Sequence, residues 1–359
     1  MTVFNFWKLS FCLNFMLKKL KRCQVIQFVC SINQYIIPLN LFKKRNSAMP
    51  KLFAFLLFFS TLTVLSGQHR IDTLDIENYK ITNLKIPDKL NEISSLEFYD
   101  GHFWGNNDSG GAAEIYKINP ETGKIVQTIT ITNAENKDWE EIAFGGDFVF
   151  IGDTGNNEGK RKDLAIYYFP ISELNSKESK INVEVQKIEF LYPEQKNFKP
   201  GNHKTDFDCE AFFYHNGKLH LFTKEWTKLE TTHYTLDVKP GKQNAKKIES
   251  FKTNYLVTGA VVDNNPISNT HGFYLIGYTP DGVVLISGFS LFTKKDDDKL
   301  FNSKIKFSLP IGFAPQIGQT EGIAIKPDNP NILCFSNEEF KHKGFHVKQS
   351  IQCINSLAQ

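Results

Sequence analysis

Carboxylates recur in this chain at one place in a repeated pattern: the entrance to a short apolar strand, followed by a glycine turn, a second apolar strand and a polar loop. The clearest copy runs Asp138-Trp139-Glu140-Glu141-Ile142-Ala143-Phe144, turns at Gly145-Gly146-Asp147, and continues through Phe148–Gly152 into Asp153-Thr154-Gly155-Asn156-Asn157. Other copies begin at Asn91-Glu92-Ile93-Ser94-Ser95-Leu96, at Asp208-Cys209-Glu210-Ala211-Phe212-Phe213 and at Thr320-Glu321-Gly322-Ile323-Ala324-Ile325. A degenerate copy at Thr258-Gly259-Ala260-Val261-Val262 lacks the acid.

Acids that open equivalent strands of one ring converge on its axis. Glu141, Glu210 and Glu321, joined by Glu92 or the adjacent Ser94, would repel one another there unless a cation or protons compensate. A hard divalent ion with oxygen ligands is the natural partner, and Ca²⁺ tolerates irregular rings better than Mg²⁺. The expected metal set is Glu92, Ser94, Glu141, Glu210 and Glu321, with Ca²⁺ as the ion. For each acid alone, the competing role is to hydrogen-bond backbone N–H groups of the neighbouring repeat.

The polar loops after each second strand make a second ring, expected to form a ligand face. It holds Asn107, Asp108, Asp153, Asn156 and Asn157 from the first two copies, and Lys224, Glu225, Asn337 and Glu338 from later ones. Arg161, in the Gly159–Asp163 extension, could meet an anion there. Turns also require Asn, Asp and Gly for their own geometry. Trp139 and Trp226 flank this face, suited to packing between repeats or to stacking on a ring-shaped ligand. His203, His215, His220, His233 and His271 stand singly, and no nucleophile elbow, phosphate loop or HExxH occurs, so no catalytic residue is assigned.

Sheet must position these residues. From Tyr79 onward, short runs rich in Ile, Val, Phe, Tyr and Thr alternate with Gly, Asn, Asp and Pro clusters, and no long stretch has helical periodicity. A hairpin repeated every ~50–70 residues is the mark of a propeller. The spacing predicts an all-β, five-bladed β-propeller, with six blades as the rival count. The strand at Tyr79–Ile86 has no hairpin partner, while the last repeat offers Glu321–Lys326, Ile332–Ser336 and Gly344–Ile351, one strand short of four. Pairing the two closes the ring and removes exposed edges.

The first 67 residues contain nine Lys or Arg and no Asp or Glu. From Met49 they read as a signal peptide: Met-Pro-Lys, an apolar run from Leu52 to Leu65, then Ser66 and Gly67. The expected organisation is an upstream extension over 1–48 from a mis-assigned start, a signal peptide over 49–67 and the propeller over 68–359, with a secreted or periplasmic mature chain. That mature part carries 33 basic and 39 acidic residues and keeps only Arg70 and Arg161 as arginines. This disfavours nucleic acid as a partner. No membrane span is expected in it, and a monomer is. Cys334 and Cys353 could pair in an oxidising compartment, whereas Cys209, at a strand start, reads as a buried thiol.

Asp138-Trp139-Glu140-Glu141-Ile142-Ala143 and Gln319-Thr320-Glu321-Gly322-Ile323-Ala324 resemble the acid-x-Glu-Gly-Ile-Ala motif of the SdiA-regulated and phytase-like propellers. The five-blade order, with acids at Glu141, Glu210 and Glu321, is similar to that of calcium-activated apyrases. This resemblance implies one Ca²⁺ at the centre of the ring. It departs in the arginines that those enzymes set against phosphates, for which Arg161 is the one counterpart. The expected function is a secreted binding or scaffold propeller with a central Ca²⁺ and a small or glycan-like ligand. The alternative is a Ca²⁺-dependent phosphoesterase or nucleotidase.

Overall fold

The computed structural model describes residues 72–356 apart from 264–271, 292–297, 304–305, 327–328, 330–331 and 343. The extension and signal peptide expected over 1–67 lie outside the described residues.

Two N-terminal strands, β1 (Asp72–Thr73) and β2 (Tyr79–Lys85), precede the first blade. That blade holds β3 (Glu97–Tyr99), β4 (His102–Asn106), β5 (Glu114–Ile118) and β6 (Ile125–Ile131). Next come β7 (Trp139–Gly145), β8 (Phe148–Asp153), β9 (Ala165–Pro170), β10 (Lys180–Val183) and β11 (Gln186–Leu191). The third run is β12 (Asp208–His215), β13 (Lys218–Lys224), β14 (Thr231–Asp237), β15 (Gly241–Asn244) and β16 (Lys246–Phe251). The fourth is β17 (Leu256–Val262), β18 (Gly272–Tyr278), β19 (Val283–Ser290) and β20 (Lys306–Phe313). The last is β21 (Thr320–Ile325), β22 (Ile332–Asn337), the small hairpin β23 (Phe340–His342) and β24 (Phe345–Val347), and β25 (Ser350–Ser356).

These strands build five blades, with β3, β7, β12, β17 and β21 innermost. Each inner strand packs beside the next, and β21 beside β3, which closes the ring around a central channel. Alternation along a pleated strand explains why the runs are apolar on both faces. Phe212 joins a core with Phe150 and Leu219 between blades two and three. The next residue, Phe213, joins Phe222 and Phe273 between blades three and four. The inner strands approach closely, so small residues are needed. A Cβ at Gly322 would come within 2.1 Å of the Leu96 backbone nitrogen, and one at Gly259 within 2.3 Å of the Glu321 carbonyl oxygen.

The expected ring closure is present: β2 pairs antiparallel with β25, Tyr79 opposite Ser356 through Lys85 opposite Ser350. Strand β25 lies against β22, where Cys334 faces Cys353 and bonds to it as a disulfide. The third strand of this blade begins at Ser350, later than the expected Gly344, because Phe340–Val347 turns out as the β23–β24 hairpin.

Three parallel pairings lace the ring. Strand β10 leaves blade two to lie beside β6 of blade one, and β15 leaves blade three to lie beside β11 of blade two. Strand β1 covers β20 of blade four. At blade three, Glu249 of β16 accepts backbone hydrogen bonds from Leu300 and Phe301 of blade four. The outer strands of blades one, two and four are thus paired by chain from beyond their own blades.

Candidate functional site

Every channel-lining strand from blade two to blade five carries an irregularity at its third residue or close to it. On β7, Trp139 faces Asp153 and Glu141 faces Gly152, so Glu140 is the extra residue. Glu210 takes that place on β12, between Cys209 and Ala211, and Thr258 does so on β17, between Val257 and Gly259. On β21 the shift falls between Thr320 and Ile323, spanning Glu321 and Gly322. A bulge re-aims a side chain without ending the strand. These bulges turn Glu140, Glu210 and Glu321 into a cavity of ≈ 180 Å³ at the channel mouth.

Asp108, Asn157, His203, Lys224, Trp226, Tyr278, Gln319 and Glu338 complete its wall. Ser94 of blade one is buried against it and donates to the Glu140 carbonyl oxygen at 2.8 Å and to Glu140 Oε2 at 3.1 Å. Carboxylate oxygens of Asp108, Asp138 and Glu140 lie within 4.8 Å of one another. Lys224 is the one Lys or Arg among the described residues that line the cavity. Its Nζ lies 2.5 Å from Glu210 Oε2, with both side chains buried.

The electrostatics follow from burial and like charge. Asp138 is pushed up to about 7 by desolvation and by the neighbouring Asp108 and Asp208. Desolvation likewise lifts Glu321 to about 7, against the pull of Lys224. Glu140 is held well above the carboxylate range by burial and by Asp108 and Glu210. Glu338 is raised by burial and by Glu321 and Asp108.

Glu141, expected among the metal ligands, takes another role. Its Oε1 accepts from the Ile142 amide at 3.1 Å and its Oε2 from the Ala260 amide at 3.4 Å. The Leu96 amide also faces it. These groups belong to blades two, four and one, further down the inner strands than the mouth. Burial, and the charge of Glu97, hold this carboxyl well above its ordinary range. Glu97 itself is pushed up to about 8 by desolvation. Glu92 is exposed and accepts from the Asn91 amide side chain at 3.2 Å.

Of the ten residues expected on the ligand face, Asp108, Asn157, Lys224 and Glu338 line the cavity. The other six serve the loops. Arg161 pairs with Asp153 at 2.8 Å and Asp163 at 3.2 Å and donates to the Gly155 carbonyl at 2.9 Å. Asn156 donates its amides to Asp208 and to the Phe207 carbonyl. Glu225 accepts from Thr232 at 2.5 Å and Thr223 at 3.3 Å, inside its own blade. Asn337 ties Lys348 to Ser350, and Asn107 donates to the Lys89 carbonyl.

Sequence reasoning passed over Glu140, His203, Tyr278 and Gln319. The signal for Glu140 was available: Asp138-Trp139-Glu140, Asp208-Cys209-Glu210 and Gln319-Thr320-Glu321 share one spacing. Trp139 is buried between blades one and two. Trp226 instead lines the cavity, its Nε1 donating to Asp208 at 2.8 Å and its ring stacked on His203 with centroids 3.7 Å apart. Two other histidines meet away from the mouth: His220 Nδ1 lies 2.9 Å from His233 Nε2, both buried. Cys209 is a buried free thiol pushed up to about 12 by desolvation, hence unreactive.

No family model matches the chain, and no curated protein matches it. Among solved structures, Kuenenia stuttgartiensis hydrazine synthase aligns over 68% of this chain at 9% identity with a TM-score of 0.33. The match spans 61% of that protein's length. A putative oxidoreductase (glucose dehydrogenase) from Thermus thermophilus aligns over 77% of this chain and 99% of its own, at 9% identity and a TM-score of 0.40. The β-propeller domain of Swd1 from Myceliophteria thermophila aligns over 72% and 66%, at 7% identity and a TM-score of 0.32. None of these likenesses bears on what this chain binds.

Proposed function

We propose that the protein is an exported binding module whose channel mouth takes one divalent cation, Ca²⁺, on Asp108, Asp138 and Glu140 and offers a polar face to a small or glycan-like ligand. The observation that carries this reading is the convergence of those three carboxylates, with oxygens within 4.8 Å of one another. Ligand oxygens about 2.4 Å from a Ca²⁺ ion span at most about twice that distance, so the spacing suits one ion. The donor set is hard oxygen throughout, as Ca²⁺ prefers. The disulfide between Cys334 and Cys353 supports export to an oxidising compartment.

The phosphoesterase alternative has less support. Arg161 is committed to Asp153 and Asp163, and Lys224 to Glu210, so an incoming phosphate would face carboxylates. Calorimetric titration with Ca²⁺ tests the reading. One ion per chain is expected, with binding lost in Asp138→Asn. Saturation at ~100 times Kd should stabilise the fold by about 2.7 kcal/mol, because the ion binds the native state alone. A melting temperature indifferent to Ca²⁺ and chelator would sink it. Ca²⁺-dependent turnover of nucleotides would replace it with the alternative.

A further inference from the structure

Lys224 ends β13 opposite Asp208, at the exit of a second strand where the other blades place Asp, Asn or Tyr. Its side chain runs inward and is buried against the channel, 3 % exposed. The ammonium sits 2.5 Å from Glu210 Oε2, 4.7 Å above the Trp226 ring and 5.3 Å above that of Tyr278. A buried ammonium is costly unless fixed negative charge surrounds it. Here Glu210 answers it directly, and Glu321 shares the same cavity wall. The fold has therefore built a cradle for a cation and placed one of its own atoms in it.

The mouth divides accordingly. Blades one and two contribute Asp108, Asp138 and Glu140, none of which is in an ion pair with a Lys or Arg among the described residues. Blades three to five contribute Glu210, Glu321 and Glu338 around Lys224, and Gln319 bridges the last two by donating at 2.6 Å to Glu321 and at 3.3 Å to Glu338. We infer that Lys224 is a tethered cation that fills the half of the mouth belonging to blades three to five, and so limits the site to one free divalent ion. This rests on the cation reading of the mouth and names what sets its stoichiometry. Removing the ammonium exposes the cradle of Glu210, Glu321 and Glu338 to a second ion, because the carboxylates that held a fixed charge still require one.

The test is the number of Ca²⁺ ions bound per chain, measured with Ca²⁺ alone by calorimetry and equilibrium dialysis on the exported chain. Wild type and Lys224→Arg should bind one, and Lys224→Met two. The double variant Lys224→Met with Glu210→Gln should return to one, since the acid that demanded the charge is gone. One ion in both wild type and Lys224→Met overturns the inference and leaves the proposed function standing. No ion in wild type but one in Lys224→Met does the reverse. Should Lys224→Met fail to fold in chelator, millimolar Ca²⁺ should restore folding by replacing the ammonium. A Lys224→Met chain that stays unfolded in Ca²⁺ overturns the inference, whatever the double variant does.

Discussion

Glu140 turns its carboxylate into the cavity at the channel mouth, whereas Glu141, next in the chain, sends its own down the ring to amide groups of several blades. Both are buried, and burial lifts both well above the carboxylate range. Their partners separate them. Glu141 is answered by fixed N–H donors of Ile142 and Ala260, so its demand is met within the fold. Glu140 is answered by one hydroxyl, from Ser94, and by other carboxylates. A carboxyl whose neighbours are donors is part of the scaffold, and one whose neighbours are acids is set for an incoming cation.

The sharpest way to break this contrast is Glu141→Ala. It strands buried amides in two or more blades, each worth about 1–3 kcal/mol, so a loss of about 3–5 kcal/mol is expected in urea unfolding. A variant as stable as wild type would mean that Glu141 is no scaffold residue. Glu140→Gln should behave oppositely: no loss of stability in chelator, and Ca²⁺ affinity at least ~10-fold weaker by titration.

The pH dependence sharpens the same contrast more gently. Asp138 and Glu321 stand at about 7 in the folded chain, above their ordinary 3.8 and 4.5. A raised folded value means stability that is fully present below the ordinary value and lost as pH climbs from there to about 7. His220 and His233 are lowered by burial, and their contribution is lost only as pH falls below about 6.5. Above about pH 6.5, where the histidines no longer oppose it, the chelated protein should therefore melt at falling temperature, through Asp138 and Glu321 up to about pH 7 and through Glu97 up to about pH 8, and Ca²⁺ should remove the share of Asp138. A flat profile in chelator would count against charge crowding at the mouth. A smaller effect than that of Glu141→Ala is expected for Glu141→Gln, about 1–3 kcal/mol, because the amide keeps one acceptor oxygen and turns a donor toward the other backbone N–H.

The blades were legible in the sequence because each inner strand repeats an acid, an apolar run and a glycine turn, and because counting strands left Tyr79–Ile86 without a partner. The lacing strands were not. The chain crosses from the edge of blade one to blade two between Lys180–Val183 and Gln186–Leu191, and no alternation in the sequence marks that point. The site was half legible. Its acids were visible, but a bulge adds a residue without altering the apolar pattern, so Glu141 was aligned with Glu210 where Glu140 belongs. Loop residues such as Arg161 and Asn337 carry the composition of a ligand face and serve their own turns instead.

The pairing of Tyr79–Lys85 with Ser350–Ser356 also sets a clock. Four sheets can be assembled around their inner strands from chain already made, yet the fifth needs segments from both ends of the described fold. Contacts of such long range form late and slowly. Until β25 arrives, β22 and β2 stay open along the edges that it will pair, and Cys334 has no Cys353 to meet. The carboxylates of four blades thus meet in a ring whose last sheet is completed only when β25 is in place.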